Sequence, residues 1–579
     1  MIEKMTKYSF VLLKGGEEKF LEQLRELGVV DIKRSSVPVD AHSTDLLDRI
    51  GQIKNEIESL QNGVDTHLTE LLEQRQSLAD AEETIAPWGD YDRDKTDALG
   101  KAGVPIHFYR TRKKGFDPSW EADYPLEVIC DDGKTVHFVI AGDAAGFPLA
   151  EMHSPLSTVR ELEGMIKAKD KEIERYRKHL EDRKSEIPGL EDRKRSLTDE
   201  LNIYLASLAG QSAVEDHITV YEGFAPTDSD SKLAEVLDAS EALWIKYVAT
   251  KEDNPPIKLR NNKFVKQFET LTDMYGRPDY DEFDPTPYIS IFFLLFFAMC
   301  MGDAGYGILL VLIGWFLKKK VPSMADMAPL VMMLGVGTFL VGIVLHTFFG
   351  INLYEAAWVP EGLKRFMISG NIAGYDAQMV LAVGVGIFHI CLAMVVKTIC
   401  YTQRFGFLKS LSTWGWTLLI VGTIVIAGLA LLGVIDKPLV KILMIALGIV
   451  SGLGIFILND VHRNPLLNIG SGLWDTYNTV TGLMGDVLSY LRLYALGLAG
   501  GMLGSTFNLL AGMTLDIPLP GVNWLLFAFI ILIGHALNLA LSCLGAFVHP
   551  LRLTFVEYFK NSGFEGTGRT YRPLKINKQ

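Results

Sequence analysis

Apolar positions change rhythm twice along this chain. Residues 5–35 alternate in short bursts: TKYSFVLLK reads as a strand, Gly15-Gly16 breaks it, EEKFLEQLREL is amphipathic, and VVDIKR reads as a second strand. The spacing then lengthens to three and four. Leu46, Ile50, Ile53, Ile57, Leu60, Val64, Leu68 and Leu71 mark one helical seam, and Val159, Leu162, Ile166, Ile173, Tyr176, Leu180 and Ile187 mark another. Each seam supports roughly 40 helical residues, about 60 Å at 1.5 Å per residue. They flank a mixed segment, about 86–150, with strand-like pieces such as TVHFVIAG. The pattern predicts an antiparallel coiled-coil rod with a distal globule, bent on return at Pro188. After the rod, HITVYEGFAPTDSD and ALWIKYVATKEDNPP predict a second small α/β unit.

From residue 287 onward periodicity gives way to long apolar runs: 288–317, 328–350, 378–399, 411–434, 439–459, 473–512 and 521–558. A bilayer core takes about 20 apolar residues per helix. Seven runs predict eight transmembrane helices, because Gly302-Asp303-Ala304-Gly305 interrupts the first with a charged turn. That split makes a hairpin and leaves Lys318, Lys319 and Lys320 on the side of the N-terminal half, as the positive-inside rule asks. The loop with Lys397, Arg404 and Lys409, then Arg463, then the tail with Lys560, Arg569, Arg572, Lys575 and Lys578 fall on that cytoplasmic side too. The loop 351–376 faces the other side. The last two runs exceed a simple span: about 38 helical residues cover roughly 57 Å against a core of about 30 Å, so they must tilt, extend or break.

The resulting fold class is an α-helical polytopic membrane domain preceded by a cytoplasmic α/β plus antiparallel coiled-coil rod. Its boundaries are 1–286 for the cytoplasmic part, 287–560 for the membrane domain and 561–579 for a cytoplasmic tail. The start of the chain has an apolar run too short for a signal peptide core. The net charge of −13 argues against a general nucleic-acid binder. Five scattered cysteines (Cys130, Cys300, Cys391, Cys400 and Cys543) lack metal-ligand spacing and read as small buried hydrophobes, so no metal or cofactor is expected. No GxxxxGK[ST] occurs, so this chain is not expected to hydrolyse ATP itself.

Chemistry concentrates in the last two runs. Arg492 sits centrally in GDVLSYLRLYALGLAGGMLGS, with small residues Gly485, Ser489, Ala495 and Ala499 on its face. An arginine at bilayer centre costs about 2.5–3.5 kcal/mol on insertion scales and needs an acid or a wet cavity. Structural pairing with Asp486 or Asp303 is the competing reading. In the final run, His535, Asn538, Ser542, Gly545, His549 and Arg552 recur every three or four residues, a polar stripe in an apolar helix that marks an ion path. Pro550 is placed to kink that helix.

SYLRLYALGLAG and GHALNLALSCLGAFVHPLRLTFVEYFKNSGFEGTGRTYRPL resemble the last two membrane helices and tail of subunit I of V/A-type ATPases, counterpart of the eukaryotic V-ATPase a subunit. MYGRPDYDEFDPTPYISIFFLLFFAMCMGDAGYG and LGVGTFLVGIVLHTFFG are similar to the same family. The resemblance implies a stator in the cell membrane beside a rotating proteolipid ring, coupling proton or sodium movement to ATP hydrolysis or synthesis. It implies peripheral stalks on the rod and a central-stalk collar near the membrane. Arg492 resembles the family's essential arginine and Arg552 its second. Asp475, Asn478, Asp486 and Glu557 are then candidates for the cytoplasmic half-channel, and His535, Asn538 and Ser542 for the other. Eukaryotic members often carry a glutamate near the position of Ser542 and a histidine near that of Gly500, and this chain departs from both. Counting outward from the loop at 513–520 also sets Arg552 about ten residues farther along its helix than Arg492. A secondary transporter would show internal repeats, of which none is evident. A membrane-anchored scaffold would leave the polar stripe without a purpose.

Overall fold

The computed structural model describes residues 1–34, 40–89, 93–152, 159–213, 215, 217–321, 324, 326–357, 359–372, 374–457, 465–516, 518 and 521–575. Arg463 and Lys578 lie outside the described residues. The chain divides into two compact units.

One unit holds residues 34–210 with small additions. Its two seams fold as four helices, not two. Ala41–Asn62 pairs with Ile187–Ser207, and Thr66–Ile85 pairs with Val159–Arg183, each pair antiparallel. The break lies at Gly63, left-handed at φ 65°, where glycine avoids the Cβ clash. Asp65 then caps the next helix, accepting from the Leu68 amide at 2.8 Å and from the Tyr176 hydroxyl at 2.6 Å. Leu60, Leu68, Leu71, Ile173 and Leu180 form the seam core, each worth roughly 1.5–3 kcal/mol when buried. Val64, at the break, leaves the seam and is 49% exposed. Pro188 starts the last helix after a tight turn, where its missing N–H costs nothing. The distal globule is a three-stranded antiparallel sheet with Thr135–Ala141 central, closed by Tyr109, Phe138 and Phe147.

The other unit joins a sheet to the apolar helices. Strand Met5–Leu13 buries Tyr8, Phe10 and Leu12 on one face, following its two-residue period. It pairs antiparallel with Ile218–Pro226 and with Leu243–Val248. The two expected α/β units are therefore one sheet, with Asp31–Ile32 paired to the far side of Ile218–Pro226. The tail is stitched onto it. The Ile257 amide donates to Arg569 O, the Leu574 amide to Val30 O at 2.9 Å, and Arg569 pairs with Asp31 at 3.6 Å.

Among the described residues, five helices are long and apolar enough to cross a membrane: Ala377–Phe405, Leu408–Leu431, Lys437–Ile457, Asn468–Thr514 and Val522–Ser562. Three shorter apolar helices precede them: Thr286–Met301, Ala304–Lys320 and Ala328–Val344. The first run splits at Gly302-Asp303, as its turn residues require. Gly307 and Gly335 let the second and third helices touch backbone to backbone. Leu294 of the first packs on Gly337 of the third, so the third lies between the arms of the hairpin. The long run 473–512 breaks at Tyr490, and the final helix passes into a π-turn, Leu553–Tyr558, just after Pro550.

Candidate functional site

The helix Leu491–Thr514 begins at a pinned residue. Tyr490 is fully buried against Phe296, and its hydroxyl meets His389 Nδ1 at 2.9 Å. Arg492 follows two residues later, partly buried, with Nη1 shielded from solvent and without a hydrogen-bond partner. Both acids that could have paired with it are engaged elsewhere. Asp303 takes four backbone amides: Gly305 at 2.8 Å, Tyr306 at 3.3 Å, Phe349 at 2.8 Å and Gly350 at 2.8 Å. Asp486 takes the Asn561 amide at 2.8 Å and faces Lys560 at 3.5 Å. Among the described residues Arg492 has no carboxylate ion pair.

The final helix runs antiparallel beside it. A Cβ on Gly545 would touch Leu496, one on Gly500 would meet Ser542 Oγ at 3.1 Å, and one on Gly534 would strike Phe507. This register sets Arg492 level with His549, which lies in electrostatic reach of both Arg492 and Arg552. Arg552 is exposed and about three residues beyond that level, roughly 4 Å of rise. Uneven helix starts thus absorb most of the ten-residue offset counted from the sequence. Arg492 sits at a border: Leu496, a turn on, faces the final helix, whereas Ala495 and Ala499 are exposed.

The first half of the polar stripe, His535, Asn538 and Ser542, is joined in one hydrogen-bonded network through Tyr306. His535 Nδ1 meets the Tyr306 hydroxyl at 2.8 Å and its Nε2 meets Asn508 Oδ1 at 3.0 Å. Asn538 Nδ2 donates to Tyr306 Oη at 2.8 Å and to Gly500 O at 2.9 Å, and Ser542 Oγ donates to Asn538 Oδ1 at 3.3 Å. Tyr306 and Asn508 were not singled out from the sequence, because both lie inside apolar runs.

Two cavities flank the arginine region in sequence. One, about 380 Å³, is lined by Asp475, Asn478, Asp486, Lys397, Lys560 and Asn561. It gathers three of the four acids and amides expected on the cytoplasmic side. The fourth, Glu557, is 2% exposed in the π-turn, with Oε2 unpartnered and its carbonyl accepting from Asn561 at 2.7 Å. Ser489 donates to the Gly485 carbonyl at 3.1 Å, ending its helix beside this group. The other cavity, about 740 Å³, is lined by His346, Glu355, Asp376, Tyr494, Gly497 and Gly501, among others. Asp376 caps the helix Ala377–Phe405 through the Gln378 amide and accepts from the Tyr494 hydroxyl at 3.3 Å. These loop residues carried no periodic signal in the sequence.

Residues 143–354 match the model of the V-type ATPase 116kDa subunit family. The A-type ATP synthase subunit I of Methanocaldococcus jannaschii is 30% identical, over 63% of this chain and 56% of that protein. The chain spans about half the length of such archaeal relatives. The V-type ATP synthase subunit I of Borreliella burgdorferi is 25% identical across 100% of both chains. That of Treponema pallidum, subunit I 1, is 26% identical over 99% of this chain and 100% of the relative. With an apolar helical half and this spread of relatives, the chain is similar to the subunit I family of V/A-type ATPases.

Proposed function

We propose that this chain is the stator that passes protons or sodium ions along a rotating proteolipid ring. The observation that carries the reading is the Arg492 guanidinium, which lacks a carboxylate of its own at the edge of an exposed apolar face. A ring carboxylate arriving there would supply the missing partner. The cation would draw down that carboxylate's pKa and favour release of its ion. The exposed small residues Ala495 and Ala499 would let a second helix come close.

Arg492, Arg552 and His549 face the ring in this reading. The cavity of Asp475, Asn478 and Asp486, with Ser489 and Glu557 beside it, is the cytoplasmic approach. The larger cavity opens on another flank of the arginine helix, at Leu498 and Met502, and is the opposite approach. His535, Asn538 and Ser542 bound the site between the last two helices. Two approaches on different flanks oblige the ring to turn before an ion can cross.

Eight crossings follow when the three short helices join the five long ones. The tail's bonds to the N-terminal sheet support an even number, with both ends in the cytoplasm. The rod would hold peripheral stalks and the sheet would face the central-stalk collar, all at the lipid bilayer of the cell membrane. The test is Arg492→Ala in the assembled complex in sealed vesicles. ATP-driven ion transport should fall to background while assembly is kept; transport near the wild-type level would refute the reading.

A further inference from the structure

Four segments converge on one buried chain of hydrogen bonds, and its polarity can be read from the partners. Asn508 Nδ2 donates to the Phe349 carbonyl at 2.7 Å, so its Oδ1 is the atom facing His535 Nε2. An oxygen acceptor there requires Nε2–H on His535. Tyr306 Oη already accepts from Asn538 Nδ2, whose other proton goes to Gly500 O. The hydroxyl proton of Tyr306 therefore has His535 Nδ1 as its acceptor. Every donor then has an acceptor in one sequence: Ser542 to Asn538, Asn538 to Tyr306, Tyr306 to His535, His535 to Asn508, Asn508 to Phe349. A second proton on His535 would point at a tyrosine oxygen that would have no remaining acceptor for its own proton.

We infer that this chain is a clasp that holds neutral His535 and positions the two last helices, and that His535 carries no proton during transport. Three observations agree. The chain ends on the carbonyls of Gly500 and Phe349, which cannot pass a proton onward. Tyr306 and Asn538 are each 1% exposed, so nothing else competes for them. Asp303, the charged group in electrostatic reach of His535, has both oxygens held by backbone amides of the same convergence point. The clasp joins the helix Ala304–Lys320, the turn at Phe349, the arginine helix and the final helix. It thereby fixes the height of Arg492 against His549, and Tyr306 and Asn508 are positioning residues. Their value to transport rests on the stator reading, but the clasp itself does not.

The experiment compares His535→Ala, His535→Gln and Tyr306→Phe in the assembled complex, with Arg492→Ala beside them. Glutamine can donate to Asn508 and accept from Tyr306 but cannot titrate. His535→Ala should lower the complex's Tm by several degrees and transport at least tenfold. His535→Gln should restore the Tm and bring transport within about twofold of wild type, with an unchanged pH profile. Tyr306→Phe should lower the Tm, and less than additively when combined with His535→Ala. A His535→Gln complex with normal Tm but abolished transport or a shifted pH profile would overturn the inference, as would one that unfolds like His535→Ala. Arg492→Ala tests the stator reading separately, because it should abolish transport without moving the Tm.

Discussion

The rod and the arginine helix use the same kind of side chain to opposite ends. In the rod, Arg183 reaches Glu56 at 2.6 Å and Glu186 at 3.0 Å, and Lys169 meets Glu172 at 2.8 Å. These pairs are half-exposed or exposed and worth about 0.2–1 kcal/mol each, replaceable and screened by salt. In the arginine helix a single guanidinium is half sunk among apolar neighbours with no carboxylate ion pair among the described residues, and Asp303 and Asp486 are engaged elsewhere. The lesson is that a charge's role is told by its partner. Where partners abound the charge is solvation, and where the fold withholds one a partner must come from outside.

The comparison can be broken where a charge is fully satisfied inside the membrane half. Asp303→Ala removes the acceptor of four buried amides and should cost about 3 kcal/mol or more, seen as loss of assembled complex. Near-normal assembly would mean that Asp303 does not hold the hairpin turn. At the rod, a charge-swapped Glu56→Arg, Arg183→Glu pair should stay within about 1 kcal/mol of wild type and change less in high salt. A larger loss, measured by urea unfolding, would show that the rod charges are more than solvation. The smallest effect lies in the sheet. There the Lys7 ammonium, 2.9 Å away, holds the Asp253 carboxyl well below the usual range, at about 2. Its folded value is depressed, so its stabilisation is present above the unfolded pKa of about 3.9 and is lost as pH falls toward 2. Asp253→Asn should abolish that part of the acid sensitivity of Tm, lowering Tm slightly at neutral pH and leaving it nearly unchanged near pH 2.

Much of this was legible from local pattern. The split at Gly302-Asp303 and the break near Pro188 followed from residues that interrupt helices. Arg492 stood out as a charge that apolar surroundings cannot hide, whereas Asp475, Asn478 and Asp486, which line one cavity, were candidates only through the family resemblance. What stayed illegible was partnership. Nothing in Met5–Leu13 says that it pairs with a strand more than 200 residues on. Val64 kept the seam's spacing yet left the seam, because the left-handed turn at Gly63 resets the helix phase. Asn508 and Tyr306 each looked like a minor polar interruption, and only the tertiary fold made them neighbours of His535.

The stitched tail has a consequence for biosynthesis. Strand Met5–Leu13 and its two neighbours are complete when Val248 emerges, long before the apolar helices are made. The backbone amide of Ile257 and carbonyl of Val30 must wait for Arg569 and Leu574, which are translated after every membrane helix. In the topology proposed above, closing the sheet requires that the whole apolar region has been threaded and returned to the starting side. In that topology a chain mis-inserted by one helix would carry its tail to the other side. Its unfinished sheet edge would stay exposed as a mark for the cell's quality-control machinery.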